Sequence, residues 1–337
     1  MPRIHFLNVG NGDCSIIQHG SGRVTVIDVC KARDPKSTEA ILEKALGALT
    51  GVSPRGNFNQ KVHPENPIEY LQGLGVSAIF RFILTHPDMD HMDGLKALFE
   101  AIPVYNFWDT NNTAEKDFGA GSGGFNEDDW NFYQELRAGH PGTKRLILHD
   151  GDVGQFWNRD ADNQRGGDGL SVLAPTEELT SQANDCEKFN DCSYVVLYRV
   201  GKFRVLFCGD ASTQTIEHLL KHHRSEIEDV DILVAPHHGR HSRLDYDFLD
   251  VMRPTLTLFG NAPSEHLAYE EWNSRGLPFV TNNQAGNVVL DVQTDDVMKV
   301  LFSNETFARR HAPGASYDAA LKAWPVWRLN AIPAKAA

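Results

Sequence analysis

The sequence predicts an α/β fold, and three observations lead to that class. Short apolar runs rich in β-branched residues, such as RVTVIDVC at 23–30, alternate with segments whose apolar residues recur at helical spacing. This succession of strands and helices occurs twice along the 337 residues. In both halves, acidic and histidine side chains follow directly after strands, which is where α/β proteins commonly bind ligands.

The first half opens with strands predicted at 3–10, 14–20 and 23–30. Residues 34–49 have apolar side chains at helical spacing and predict a helix, and the polar segment 51–67 predicts a loop. The remaining elements of this half alternate, helix first and then strand: 68–75, 78–86, 94–102, 104–110, 126–139 and 144–152.

The second half repeats this style after a polar loop over 156–169. Its predicted elements are a strand, a hairpin, a helix, two strands, a helix and a final pair of strands: 170–175, 193–212, 213–226, 230–242, 254–262, 265–276 and 278–292. The last 30 or so residues have no clear period and predict a peripheral segment.

The composition argues against several functional classes. The formal net charge is −13 and the cationic residues form no strong run, which argues against tight binding of long nucleic acid. No apolar run could span a bilayer, and the first residues lack the apolar core of a signal peptide. Five cysteines without a CxxC pair fit a reducing compartment. We therefore expect a cytoplasmic protein with no membrane partner.

The densest set of candidate ligands lies in the segment ILTHPDMDHMDG. Alternate residues of an extended turn point the same way, which places His86, Asp88 and Asp90 on one side. His91 adds a fourth side chain from an adjacent direction. Imidazole and carboxylate groups suit Zn²⁺, Mn²⁺ or Fe. The alternative is a capped helix start, with Asp90 or Asp93 at the N-terminus of the next helix.

Further candidate ligands occur at three other strand ends. Asp28 ends VTVID, Asp210 follows VLFCG, and His237 and His238 follow ILVAP. Because four such ends can converge on one edge of a fold, the set favours a metal centre over a capped helix.

The remaining histidines form no convincing ligand pattern. His218, His222 and His223 are predicted to lie on a helix and to be solvated. For His140 and His149, an additional ligand and a bystander both remain open. The others are predicted to be incidental: His5, His19, His63 and His311.

At these residues the sequence resembles the metallo-β-lactamase superfamily and, within it, the ComEC-like competence branch. The opening strand leads into a Gly-x-Gly-Asp turn at Gly10, Gly12 and Asp13. THPDMDHMDG matches the HxDxDH form of the metal motif, and NDCSYVVLYRVGKFRVLFCGDAS resembles the strand pair before the bridging aspartate. ILVAPHHGRHS resembles the His-His-Gly motif. The resemblance covers about residues 3–300, and the order of its motifs is specific.

The resemblance implies a four-layer αββα sandwich with the metal site at one edge of its two sheets. We expect a metallo-β-lactamase-like domain over 1–302 and a C-terminal extension over 303–337. Loop insertions are expected near 51–67, 110–125 and 157–168, where they are candidates for shaping the site.

A ligand set is also implied: His86, Asp88, Asp90, His91, Asp210 and either His237 or His238. The first two belong to one metal position, the next two belong to a second position, and Asp210 bridges both. One histidine of the adjacent pair completes the second position, and His237 is favoured. Asp28 and Asp13 are expected to lie behind the ligands and to orient them.

This chain departs from the common pattern of the family. Asp88 replaces a histidine, which favours a harder metal such as Mn²⁺. No motif histidine lies between the HxDxDH motif and Asp210, so the first metal position is expected to be weak. Arg240 either holds a phosphate or carboxylate of the substrate or is a surface residue. His266 either contacts substrate or packs at a helix N-terminus.

These residues together predict a hydrolase that uses one or two Zn²⁺ or Mn²⁺ ions to activate water. Asp90 or Asp88 is the expected proton acceptor. The branch implies a phosphodiesterase or nuclease acting on nucleic acid or nucleotides. One alternative is a hydrolase of carboxylic esters, lactones, thioesters or β-lactams. A non-enzymatic alternative is a partner-binding module that retains the fold.

Overall fold

A computed structural model of the chain describes residues 1–37, 64–118, 126–242, 244–260, 262 and 266–331. Most of the helix predicted over 34–49 and of the loop predicted over 51–67 lies outside these ranges, as does the end of the loop near 110–125. None of the helices in the described ranges has both the length and the apolar character needed to cross a bilayer. The five cysteines all lie in described ranges, and none of them forms a disulfide.

The described strands follow the predicted order closely. In chain order they are β1 (Arg3–Phe6), β2 (Ser15–Gln18), β3 (Val24–Ile27), β4 (Ile79–Ile83), β5 (Val104–Trp108), β6 (Lys144–Leu146), β7 (Leu170–Ala174), β8 (Val195–Val200), β9 (Phe203–Phe207), β10 (Ile232–Val234), β11 (Leu256–Phe259), β12 (Phe279–Thr281), β13 (Val288–Thr294), β14 (Val297–Phe302) and β15 (Trp324–Asn330).

These strands form two mixed sheets. The first has the order β15-β14-β13-β1-β2-β3-β4-β5-β6, and the second has the order β12-β11-β10-β9-β8-β7. Strands β3 to β6 run parallel, as do β9 to β12, and the other pairs are antiparallel. The last two predicted strands, β12 and β13, are not paired with each other, because they belong to different sheets.

The described ranges contain ten α-helices of 4 to 13 residues. In chain order they are α1 (Pro67–Gly73), α2 (Leu95–Ala101), α3 (Glu127–Gly139), α4 (Glu177–Cys186), α5 (Thr213–His222), α6 (Arg224–Ile227), α7 (Phe248–Met252), α8 (Tyr269–Ser274), α9 (Asn282–Ala285) and α10 (Glu305–His311). Local sequence sets several of their starts. Asn66 accepts a hydrogen bond from the Ile68 amide with Pro67 at the first position, and Thr176 caps α4 through the Leu179 amide.

The three largest hydrophobic cores among the described residues separate four layers of structure. The central core lies between the two sheets and contains Ile4 and Ile83 from one sheet and Val196 and Val234 from the other. A second core joins the outer face of the first sheet to α1, α2 and α3. A third core joins the outer face of the second sheet to α5, α7 and α8. Two sheets packed face to face with helices outside both form the predicted four-layer αββα sandwich.

The segment after residue 302, predicted as a C-terminal extension, continues the first sheet. β15 pairs antiparallel with β14 at the sheet edge, and α10 packs beside it. Pro325 lies within this strand, and an edge strand accommodates proline because one side of its backbone needs no partner. The alternation of burial along β15 is weak, which is why the sequence pattern did not indicate a strand.

The parallel strands bring the predicted ligands to one edge of the sandwich. Ile27 at the end of β3 pairs with Ile83 at the end of β4, and Phe207 at the end of β9 pairs with Val234 at the end of β10. The backbone amide of Tyr194 donates to the carbonyl of Thr85 at 2.9 Å, which ties the two sheets together at this edge. Loops that leave these four strand ends therefore face one another.

Candidate metal centre

Asp210 lies at the middle of the convergent side chains. Its Oδ2 is 3.7 Å from His86 Nε2 and 3.6 Å from His237 Nε2. Its Oδ1 is 3.2 Å from His91 Nε2 and 3.7 Å from His238 Nε2. Each oxygen of one buried carboxylate thus faces a different pair of imidazoles.

Two further carboxylates complete these groupings. Asp88 Oδ2 is 3.5 Å from His86 Nε2, so it joins the group around Asp210 Oδ2. Asp90 Oδ2 is 3.4 Å from His238 Nε2, so it joins the group around Asp210 Oδ1. We call these the first group (His86, Asp88, His237) and the second group (Asp90, His91, His238). With Asp210 shared, each group offers two imidazoles and two carboxylates.

The structure places the adjacent histidines differently from the favoured prediction. His238, rather than His237, lies beside Asp90 and His91. His237 lies in the first group, where the sequence predicted a weak position because no separate motif histidine was found. Both members of the pair therefore face Asp210, from opposite sides.

Backbone conformation explains how neighbouring residues reach opposite sides. His237 and His238 have φ values of 50° and 57°, and Gly239 follows at 78°. Such positive φ values are uncommon for side chains other than glycine, and they concentrate at functional sites. The amide of His237 donates to the carbonyl of Gly209 at 2.9 Å, which holds the turn against the residue before Asp210.

Asp28 and Asp13 each lie behind one histidine of the second group. Asp28 Oδ2 is 2.8 Å from His91 Nδ1, and Asp28 also accepts hydrogen bonds from the amide and hydroxyl of Thr85, both at 2.7 Å. Asp13 Oδ1 is 3.2 Å from His238 Nδ1. A carboxylate behind each imidazole directs the opposite ring nitrogen toward the centre.

Gly260 makes room for this arrangement at the end of β11. A Cβ atom at Gly260 would overlap Asp13 Oδ1 and would lie 3.0 Å from His238 Nδ1. Any larger residue would therefore displace the carboxylate that faces His238.

Charges within the centre strongly shift the ionisation of its members. Burial alone would lower the pKa of His91, but the carboxylates of Asp210 and Asp28 raise it well above its usual value. The same balance holds for His238, whose pKa Asp13 and Asp210 raise. Burial alone would raise the pKa of Asp210, yet the surrounding histidines hold it well below its usual range. The site thus stabilises carboxylates and attracts positive charge.

The donor set fits one or two divalent transition-metal ions. Several buried atoms aimed at the centre have no hydrogen-bond partner among the described residues: His86 Nε2, His91 Nε2, His238 Nε2 and Asp210 Oδ1. Buried polar atoms seldom lack a hydrogen-bond partner. A cluster of buried atoms without partners therefore indicates a site for a ligand or an ion. Imidazole nitrogens and carboxylate oxygens within 4.8 Å of one another are ligands of Zn²⁺, Mn²⁺ and Fe.

No protein-family model matches the sequence, and no curated protein matches it. Among solved structures, the chain is similar to a metallo-β-lactamase fold protein from Bacillus subtilis, with 11% identity, 83% of this chain and 96% of that chain covered, and a TM-score of 0.44.

Two further structures have similar coverage. One is a metallo hydrolase from the archaeon Ignicoccus hospitalis, with 12% identity, 86% and 100% coverage, and a TM-score of 0.45. The other is a metal-dependent hydrolase of the β-lactamase superfamily, with 10% identity, 87% and 99% coverage, and a TM-score of 0.47. The αββα assignment for this chain rests on its own sheets and cores, and the ComEC-like branch remains a prediction.

The open side of the centre is formed by the less buried members of the two groups. Asp88, Asp90 and His237 are 34%, 30% and 26% exposed at their side chains, whereas His86 and His91 are fully buried. The centre is therefore open to solvent at Asp88, Asp90 and His237.

One cation contacts this open side, and a second follows His237 closely in the sequence. Lys116 Nζ donates to Asp88 Oδ1 at 2.7 Å. Arg240 follows the His-His-Gly turn. Burial lowers the pKa of His237, and the positive charges of His238 and Arg240 lower it further. Arg240 was a predicted substrate contact, whereas Lys116 was not predicted, because it lies in a polar loop without any motif.

His266, the other predicted substrate contact, is exposed. Its carbonyl accepts a hydrogen bond from the His241 amide at 2.8 Å, which places its backbone beside the segment after Arg240. Within the described part of the chain, its imidazole is not brought into either group around Asp210. His140 and His149 also lie outside these groups.

Proposed function

We propose that this protein is a metal-dependent phosphodiesterase that acts on nucleic acid or nucleotides. The observation that carries the proposal is Asp210, whose two oxygens each face a separate pair of imidazoles. A carboxylate shared between two sets of ligands is the arrangement expected of a two-ion hydrolytic site. The resemblance to the ComEC-like branch supports the same reaction class.

The two groups around Asp210 would hold the ions, with Zn²⁺ and Mn²⁺ as candidates. Held there, a divalent ion would act as a Lewis acid that makes water more acidic and polarises a phosphoryl or carbonyl oxygen. Asp28 and Asp13 keep His91 and His238 oriented toward that position. Asp88 or Asp90, on the open side, would accept the proton released from water.

Local charge favours an anionic substrate. The protein has a net charge of −13, yet Lys116 contacts Asp88 at the open side of the centre, and Arg240 follows the turn that carries His237. Arginine binds phosphate oxygens through paired N–H donors, and lysine contributes a point charge. A phosphodiester offers one negative charge between two esterified oxygens, which this pair of cations would hold over Asp88 and Asp90.

The proposal can be tested with metal-free protein supplied with Mn²⁺ or Zn²⁺. Substrates are bis-p-nitrophenyl phosphate, single-stranded DNA and nitrocefin. We expect phosphodiester turnover in the wild type and a loss of at least ~10³-fold, about 4 kcal/mol, in Asp210→Asn. Asp128→Asn, which changes an exposed aspartate away from the centre, is the matched control and should keep full activity.

Other outcomes would replace the proposal. Turnover of nitrocefin or a lactone without phosphodiester turnover would indicate an acyl hydrolase. Equal metal content in the wild type and Asp210→Asn, with no turnover of any substrate, would indicate a partner-binding module that retains the fold.

A further inference from the structure

A second cluster of histidines and carboxylates lies at the C-terminal end of α5, away from Asp210. His218 Nε2 is 3.1 Å from Asp150 Oδ2, and His223 Nε2 is 2.9 Å from Asp150 Oδ1. The sequence predicts His218 and His223 as solvated helix residues, which is wrong: each side chain is only 13% exposed. The two histidines are shielded from solvent because the loop after β6 places Asp150 against this end of the helix.

We propose that Asp150, His218 and His223 form a second metal site, suited to Zn²⁺, that stabilises the fold. We call these three residues the helix-end site. Their ligating atoms all lie within 4.8 Å of one another. Two imidazoles and a carboxylate with one position left for water form a common zinc donor set.

The surroundings of His223 support a metal site over a simple ion pair. Glu226 Oε2 lies 2.6 Å from His223 Nδ1, and Arg199 in turn holds Glu226 at 2.8 Å. A carboxylate on Nδ1 fixes the ring so that Nε2 points at the metal position. Nε2 of His223 is buried, and it makes no hydrogen bond of good geometry within the described residues.

The position of the helix-end site indicates a structural role. The loop that carries Asp150 connects β6 in the first sheet with β7 in the second. α5 begins directly after the segment that carries Asp210, and its ten residues span roughly 15 Å along the helix axis. A Zn²⁺ ion here would join the connection between the sheets to the far end of this helix.

The experiment measures bound Zn²⁺ in full-length protein that has been stripped of metal and re-equilibrated with Zn²⁺. His218→Gln/His223→Gln should bind one Zn²⁺ fewer per chain than the wild type. His222→Gln is the matched control, because His222 is an exposed histidine on the same helix, and it should bind as much as the wild type. Circular dichroism spectra establish that each variant is folded.

A second arm separates this proposal from the proposed function. Asp210→Asn/His238→Gln removes ligands of the candidate metal centre but leaves the helix-end site intact. This variant should still retain one Zn²⁺ per chain, and added Zn²⁺ should raise its Tm. If it binds no Zn²⁺, or if the wild type and His218→Gln/His223→Gln bind equal amounts, the helix-end site is an ion-pair cluster only.

Discussion

Arg81 and Asp210 are both buried charges, but their surroundings differ. Arg81 donates to Asp168 at 2.6 Å, to the Thr25 hydroxyl at 2.8 Å and to the Phe156 carbonyl at 2.7 Å. Asp210 instead faces four histidine nitrogens at 3.2–3.7 Å, and its Oδ1 has no hydrogen-bond partner in the described part of the chain.

The difference separates a network built for stability from a site built for a ligand. The Arg81 guanidinium has both its counter-ion, Asp168, and its hydrogen-bond acceptors within the protein. Around Asp210, the side chains are oriented from behind by other carboxylates but leave their inner atoms unpaired. The burial of such unpaired polar atoms costs free energy until an ion or substrate binds them.

The largest expected effect is on stability, from Asp168→Asn. This change leaves Arg81 buried without its counter-ion, and an arginine cannot release its proton to compensate. Breaking a buried pair in this way should lower the free energy of unfolding by about 3–5 kcal/mol. Denaturant titration of metal-free protein at pH 7 measures it.

Asp210→Asn is the comparison for that measurement. The histidines around Asp210 can lose their protons when the carboxylate is removed, so we expect a smaller destabilisation than in Asp168→Asn. Equal losses in the two variants would show that the centre, like the Arg81 network, is a structural ion-pair cluster.

The next effect is on metal affinity, from Asp28→Asn. Asp28 holds His91 through Nδ1 and anchors Thr85 next to His86. Replacing a carboxylate behind a ligand histidine typically weakens metal binding 10–100-fold, or about 1.4–2.7 kcal/mol. Competition with a chromophoric chelator measures the affinity, and Asp128→Asn serves as the control. An unchanged affinity would mean that Asp28 does not orient a metal ligand.

The residues of the site were predictable from sequence wherever they directly follow a strand. Asp28, His86, Asp210 and the His237–His238 pair each come after an apolar run, and parallel pairing brings those ends together. The roles of His237 and His238 were not predictable, because they depend on two successive positive φ values that no local residue preference indicates.

Long-range contacts account for most of what the sequence missed. The helix-end site joins Asp150 to a helix 68 residues later, and Lys116 reaches Asp88 from a polar loop. α4 also escaped prediction, because its sequence, EELTSQANDC, is largely polar and buries only three residues. Such features depend on tertiary packing that periodicity does not encode.

The pH dependence of stability should have opposite signs for the Arg81 network and for the centre around Asp210. His19 Nε2 lies 3.2 Å from the Arg81 guanidinium and 2.8 Å from the Thr25 hydroxyl. Burial, together with Arg81, lowers the pKa of His19 from 6.5 to about 3. The unfolded chain therefore binds a proton that the folded chain does not, and stability is lost as pH falls below about 6.5. At the metal-free centre the raised pKa values of His91 and His238 act in the opposite direction.

Because His19 takes up a proton on unfolding, we expect the free energy of unfolding to fall by roughly 2 kcal/mol between pH 7 and pH 5. His19→Gln keeps an acceptor for Arg81 but does not titrate, so its loss over that interval should be smaller than that of the wild type by this amount. Denaturant titration at both pH values measures the difference, with the exposed His241→Gln as control. Identical pH dependence in the wild type and His19→Gln would contradict the assignment.

The smallest effect is expected from Lys116→Met, which removes a cation bound directly to the candidate ligand Asp88. The pair with Asp88 is partly exposed, and such pairs contribute about 1 kcal/mol or less to stability. Metal affinity should rise a few-fold, because a positive charge beside the first group is lost while His86 still holds the pKa of Asp88 low. The chelator competition described for Asp28→Asn detects this opposite change, and Lys116→Arg should restore the wild-type value. A fall in affinity would instead mean that Lys116 positions Asp88 for the metal.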